Sequence, residues 1–270
     1  MKFKLVLSYV VCLLSLQTNF AQQTFDIHIQ PSTITSAPKI HSGAFAVHNG
    51  KWIFLGGRID GLHIMQANQA FPTFGRNDSV FVVDPVTDTY QAASVAQLPF
   101  IIYEALGSSN MQSYQKDNHL YMIGGYGKSD SSGVYTTFPS LISIDLDCLI
   151  SNVSGGSSIN TCFRQLLDTN LAVSGGELEK IDSTYYLVFG HYFHGAYAET
   201  PQISPFVQRY THEIRKFNIN DDGVNLSISN YTAIQDTNIF HRRDYNLVPQ
   251  IYPSGEFGMT AFGGVFQKNA

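Results

Sequence analysis

Charge is scarce in this chain. Asp, Glu, Lys and Arg make up 14% of its 270 residues. There are no basic tracts of the kind that follow a phosphate backbone, and no heptads for a coiled coil. Cysteine is limited to three residues. Only one apolar run is long, and it lies at the N-terminus, so no second hydrophobic segment is available to enter a membrane. These shortages argue against nucleic acid as a partner and against insertion of the mature chain into a bilayer. Aromatics, in contrast, reach 13%, led by 19 Phe and 15 Tyr. That is a compact, β-leaning composition, far from disorder.

The opening segment "MKFKLVLSYVVCLLSLQTNFAQQ" has Lys2 and Lys4, an apolar stretch from Leu5 to Leu16 and a small residue at Ala21. It reads as a secretory signal, residues 1–21, cleaved after Ala21. Its apolar core is about 12 residues long, against roughly 20 for a spanning helix. Cleavage removes two lysines and no acid, leaving 14 basic against 21 acidic residues. The expected location is therefore secreted, periplasmic or cell-surface. Cys12 leaves with the signal, and Cys148 and Cys162 remain as an even pair in an oxidising compartment. The stretch between them, "LISNVSGGSSINT", is rich in Gly, Ser and Asn and reads as a long hairpin loop. A disulfide there would add about 3 kcal/mol in the chain-entropy model. Two free thiols are the alternative.

One local pattern recurs four times. "KWIFLGGR" (51–58), "HLYMIGGY" (119–126), "TYYLVFGH" (184–191) and "FGMTAFGG" (257–264) each end an apolar strand on glycine. The first glycines, Gly56, Gly124, Gly190 and Gly263, sit roughly 70 residues apart. Each copy begins with a strand: 43–48, 107–114, 171–180 and 246–252. A tight turn follows: Asn49-Gly50, Asp117-Asn118, Asp182-Ser183 and Ser254-Gly255. These residue types supply the positive φ that short hairpins need. Two further strands follow in each complete copy: 79–93 in the first, 141–147 and 161–167 in the second, 211–220 and 224–231 in the third. Four antiparallel strands per copy make one blade of a β-propeller. The adjacent glycines of "VSGGELE" (173–179) read as a bulge within a strand.

"HSGAFAVHNGKWIFLGG" followed by "VFVVDPVTDTY" resembles the kelch repeat, with Tyr90 where that family often has tryptophan. The resemblance spans about residues 40–264 and implies an all-β, kelch-like propeller over 22–270, with about three complete blades and a partial fourth. A kelch period is usually near 50 residues. The excess here follows the glycines, in 58–78, 126–140 and 191–210. The fourth copy lacks its outer strands, so the expectation is a piece of a longer protein or an incomplete gene product. "TFDIHIQP" (24–31) is a candidate for one outer strand.

In such a blade the long insertions and the links to the next blade open on one face. They carry aromatic and basic residues, from which the candidate ligand contacts are Arg76, Tyr126, Tyr135, His191, Tyr192, His194, Arg242 and Arg243. Aromatics beside arginine suit recognition of a glycan or a protein; packing of the loops is the competing reading. Arg242 and Arg243 of "HRRDY" could hold an anion, with Asp244 orienting one of them. His191 and His194 are three residues apart with no acidic or cysteine neighbour, so no metal and no cofactor is expected. The leading reading is an exported recognition or scaffold protein binding a protein or glycan ligand. The second, which kelch-like exported proteins suggest, is a sugar-active enzyme of isomerase or mutarotase type. Glu104, Arg76, Arg242 and His191 would then meet at the central mouth.

Overall fold

Asn49-Gly50 takes positive φ at both residues, 48° and 72°. That left-handed pair joins two twisted strands through a two-residue loop. It connects β1 (Ala44–His48) to β2 (Lys51–Leu55), with His48 paired to Lys51 across the turn. The computed structural model describes residues 26–29, 34–35, 37–63, 69–198 and 205–265. The chain divides into two units, Met1–Thr33 and Ile34–Ala270. In the first, residues 26–29 form no strand, so the strand expected over 24–31 is not found there. The remainder of that segment, and the signal with its cut after Ala21, lie outside the described residues. The second unit carries the fold.

β1 and β2 continue into β3 (Ser79–Asp84) and β4 (Thr89–Ser94), paired in sequence order as one four-stranded antiparallel sheet. The second sheet holds β5 (Gln112–Lys116), β6 (His119–Ile123), β9 (Ser140–Asp145) and β10 (Phe163–Leu167). The third holds β11 (Glu177–Ile181), β12 (Thr184–Val188), β15 (Glu213–Asp221) and β16 (Leu226–Gln235). A fourth begins with the pair β17 (Asn246–Ile251) and β18 (Phe257–Phe262). Gly56 and Gly124 thus end second strands of different sheets. The architecture is an all-β, propeller-like array of four-stranded antiparallel blades. Among the described residues, no helix is long and apolar enough to cross a membrane.

The blades stack because their second strands are apolar on both faces. Ile53 and Leu55 on β2 pack with Leu120 and Met122 on β6. Tyr121 and Ile123, on the opposite face of β6, pack with Leu178, Tyr185 and Leu187 of the third blade. Val188 then packs toward Tyr245, Leu247 and Ala261 of the fourth. Each buried Leu or Ile in such an interface contributes about 1.5–3 kcal/mol relative to exposure.

The glycine motif marks a second turn. Gly56-Gly57, Gly124-Gly125 and Gly263-Gly264 all have positive φ. A Cβ on Gly124 would stand 1.9 Å from the Val173 carbonyl oxygen, so no side chain fits there. The next residue pairs back with the segment ahead of the same blade: Arg58 with His41, Tyr126 with Ser109, His191 with Ser174 and Val265 with Arg243. In the third blade the pair is Phe189-Gly190, at φ 50° and 83°. This corrects the alignment that took Gly190 as the first residue of the pair. Phe189 is held in an unusual backbone region by packing against Phe240 and Tyr245, with ring centres 4.9 and 5.3 Å away.

Three other expectations shift. β5 and β11 begin later than the apolar segments suggested, because 107–111 and 171–176 run as links between blades. Gly175 and Gly176 sit in such a link and not in a bulge. The Gly/Ser/Asn-rich stretch after β9 is not a hairpin loop but begins with a helix, Leu146–Gly155. The Asp145 side chain caps it, accepting from the Cys148 N–H at 3.0 Å, and Gly156 ends it at φ 67°. Leu146, Leu149 and Val153 bury its inner face.

Cys148 and Cys162 are bonded, with Cα atoms 5.4 Å apart. The bridge ties this helix to the turn ahead of β10, and does not join two outer strands. Reducing it should lower unfolding stability by about 3 kcal/mol in the chain-entropy model. Urea denaturation with and without reductant measures this. An unchanged midpoint would show that the helix cap and its packing suffice.

Candidate functional site

The insertions do not stay loops. The second gives β7 (Tyr126–Lys128) and β8 (Tyr135–Thr137), and the third gives β13 (His191–Gly195) and β14 (Phe206–Tyr210). They pair as an additional sheet in the order β14-β13-β8-β7, joined across blades where His194 meets Thr136. Thr137 locks this junction, donating its hydroxyl to the Phe193 carbonyl and accepting from the Phe193 N–H at 2.9 Å. The aromatics pack between these layers: Tyr126, Tyr135 and Phe193 form a buried cluster with Phe71, Tyr197 and Phe206 against it.

Several residues proposed from sequence as open contacts make hydrogen bonds within the fold. Arg76 is 4% exposed. It donates to both Asp130 carboxylate oxygens, at 2.6 and 3.2 Å, and to the Lys128 carbonyl. It pins the first insertion to the second. Tyr135 is buried and donates to the Phe71 carbonyl at 3.1 Å. Tyr126 donates to the Gly195 carbonyl at 2.7 Å and accepts from the Tyr197 N–H. Burial pushes the Tyr126 hydroxyl pKa well above its ordinary value. Arg242 donates to the Ala261 carbonyl at 3.1 Å and supports β18. Glu104 is buried, accepting from the Ser131 N–H at 2.5 Å and from the Ser129 and Ser131 hydroxyls. Tyr192 and His194 lie on one face of β13 with rings stacked 6.3 Å apart. His191 lies on the other face, so the two histidines do not converge. Among the described residues, no group of His, Cys, Asp or Glu could hold a metal ion.

A small pocket of about 60 Å³ opens where the links meet the insertions. Ser109, Asn110 and Ser174 reach it from the links, and Arg243 from the link into the fourth blade. His191, Phe193, Tyr197 and Gln208 come from the third insertion, with His63 and Phe71 from the first and Tyr126 from the second. So His191, Arg243 and Tyr126 are the predicted residues that the fold brings together; Arg76, Tyr135, Tyr192, His194 and Arg242 are not among the described lining residues. Ser109, Asn110, Ser174 and Gln208 escaped the sequence reading. Ser109 and Ser174 hold equivalent places, just ahead of a blade's first strand, and only the strand register reveals that equivalence.

The pocket's electrostatics are muted. Arg243 donates to the Asp244 carboxylate beside it. Burial raises the Asp244 pKa, against the opposing pull of Arg243. His191 is 6% exposed. Burial, assisted by the positive charge of Arg243, pushes its pKa down to about 3. Its Nδ1 has no hydrogen-bond partner among the described residues.

No family model matches the sequence, and no curated protein matches it. Among solved structures, YjhT aligns with 87% of this chain and 69% of its own, at 13% identity and a TM-score of 0.46. So distant a likeness carries nothing about ligand or site.

Arg76→Ala should destabilise the protein by about 2–3 kcal/mol, because buried charged hydrogen bonds are lost. Thermal melting tests this, and an unchanged melt would mean the insertions are held without it. His191 gives a pH signature. Its folded pKa lies below the unfolded value near 6.5, so its neutral form supports folding above that value. That support is lost as pH falls from about 6.5 toward 3. His191→Gln should flatten this part of the stability profile, measured by denaturant unfolding across pH.

Proposed function

We propose that this chain is an exported, kelch-type propeller whose insert face recognises a glycan at its mouth. The observation that carries this is the pocket itself. Links and insertions of successive blades converge on one concavity with hydroxyl, amide and guanidinium groups beside aromatic rings. Such a mixture suits a sugar, whose hydroxyls need hydrogen-bond partners and whose C–H faces pack on rings. Recognition is assigned to this pocket and not to the whole loop face, because Arg76 and Tyr135 serve the packing of the insertions.

Recognition is favoured over sugar isomerisation by the geometry. General acid–base chemistry needs an acid and a base within about 3 Å of the reacting atoms. Of the residues suggested for that role, Glu104, Arg76 and Arg242 are engaged elsewhere. His191 alone lines the pocket, and no described carboxylate joins it.

A glycan array probed with the full chain tests the proposal. At least one glycan should bind, and Gln208→Ala or Tyr197→Ala should weaken it by more than tenfold, about 1.4 kcal/mol. A blank array, or binding indifferent to both substitutions, would sink it.

A further inference from the structure

Resting on the glycan reading, the inference concerns which class of sugar the pocket takes. We propose that it selects a neutral sugar ring over its acidic counterpart.

Charge is the first ground. Arg243 is the one arginine or lysine among the described lining residues. Its guanidinium already donates to the Asp244 carboxylate. The side chain of Asp244 has 36% of its surface exposed, and it stands beside Arg243 without itself lining the pocket. A sugar carboxylate approaching Arg243 would compete with Asp244 for the same donors and stand close to its negative charge. Like charges at hydrogen-bond range oppose binding. A neutral hydroxyl approaches the pair without that repulsion.

The hydrogen-bonding groups are the second ground. His191 is buried in the lining, and its Nδ1 has no partner among the described residues. A neutral imidazole offers one donor and one acceptor. A hydroxyl can answer either nitrogen, whereas a carboxylate can answer only the one that carries the proton. Burial and the charge of Arg243 keep this ring neutral, so it does not become the second cation an acidic ligand would need. Asn110 and Gln208 add amide groups with the same double capacity. The Ser174 hydroxyl is held only weakly, 3.4 Å from the Asn110 carbonyl, and is able to turn to a ligand. Tyr197 supplies an aromatic wall for a C–H face. Paired donor–acceptor groups, a neutral imidazole and an internally balanced ion pair all fit hydroxyls.

The test compares sugars that differ only at C6. Glucose is paired with glucuronate and galactose with galacturonate, each titrated calorimetrically into the full chain at 50 and 500 mM salt. The expected result is one neutral sugar binding at least tenfold more tightly than its own acid, with affinity unchanged by salt. Equal or tighter binding of the acid overturns the selectivity. If that binding also weakens with salt and on Arg243→Gln, the mouth is still the site and only this inference fails. If neither member of either pair binds, this inference fails whatever the array shows. A positive array whose hits ignore Gln208→Ala removes the mouth reading as well.

Discussion

A run of backbone hydrogen bonds along the inner edge of the blades holds the rest in place. The Asn110 N–H donates to the Ser42 carbonyl at 3.3 Å, the Gly175 N–H to Asn110 at 3.0 Å, and the Asp244 N–H to Gly175 at 2.9 Å. Each bond steps from one blade to the next. The four residues occupy the same repeat position, and all have positive φ, between 52° and 65°. A non-glycine residue in that region costs about 1–2 kcal/mol. Asn and Asp bear it more easily than most, which suits Asn110 and Asp244. The neighbouring residue of each link pairs with the chain just beyond the glycine turn. Link and turn therefore position each other, and the blade faces are brought into register for stacking.

The pocket is a consequence of the same constraint. Ser109, Ser174 and Arg243 each precede one of these positive-φ residues, so their side chains gather at the inner edge. The glycine turns launch the insertions from there, and the third insertion returns over the mouth. His191 belongs to both systems, pairing through its backbone with Ser174 while its imidazole lines the pocket.

Outside the mouth, blades are fastened by polar contacts between side chains far apart in sequence. Arg164 on β10 donates to both Asp221 carboxylate oxygens at the end of β15, at 2.8 and 2.9 Å, and Ser143 donates to the same group. These hydrogen bonds, with burial raising it in opposition, leave the Asp221 pKa below its ordinary value. Arg76 with Asp130 does the same between two insertions. In each case a buried charge is tolerable because its partner is fixed by strand register.

Turns and strand order were legible in the amino-acid sequence because they depend on near neighbours. Asn49-Gly50 requires a hairpin by its own backbone preferences, and unbroken apolar runs assign β2 and β12 to a two-sided core. The helix at Leu146–Gly155 was legible in principle: Asp145 caps it and Leu146, Leu149 and Val153 share a face. The run of Gly, Ser and Asn that follows masked that signal. The place of Phe189 was hidden, because packing against Phe240 and Tyr245 lets phenylalanine stand where the other repeats have glycine. The role of Arg76 was hidden too, since nothing near it in sequence names Asp130. Local backbone chemistry thus determined the blades. Only the tertiary structure decided which polar side chains are spent in packing and which meet at the mouth, because those contacts join residues from separate blades.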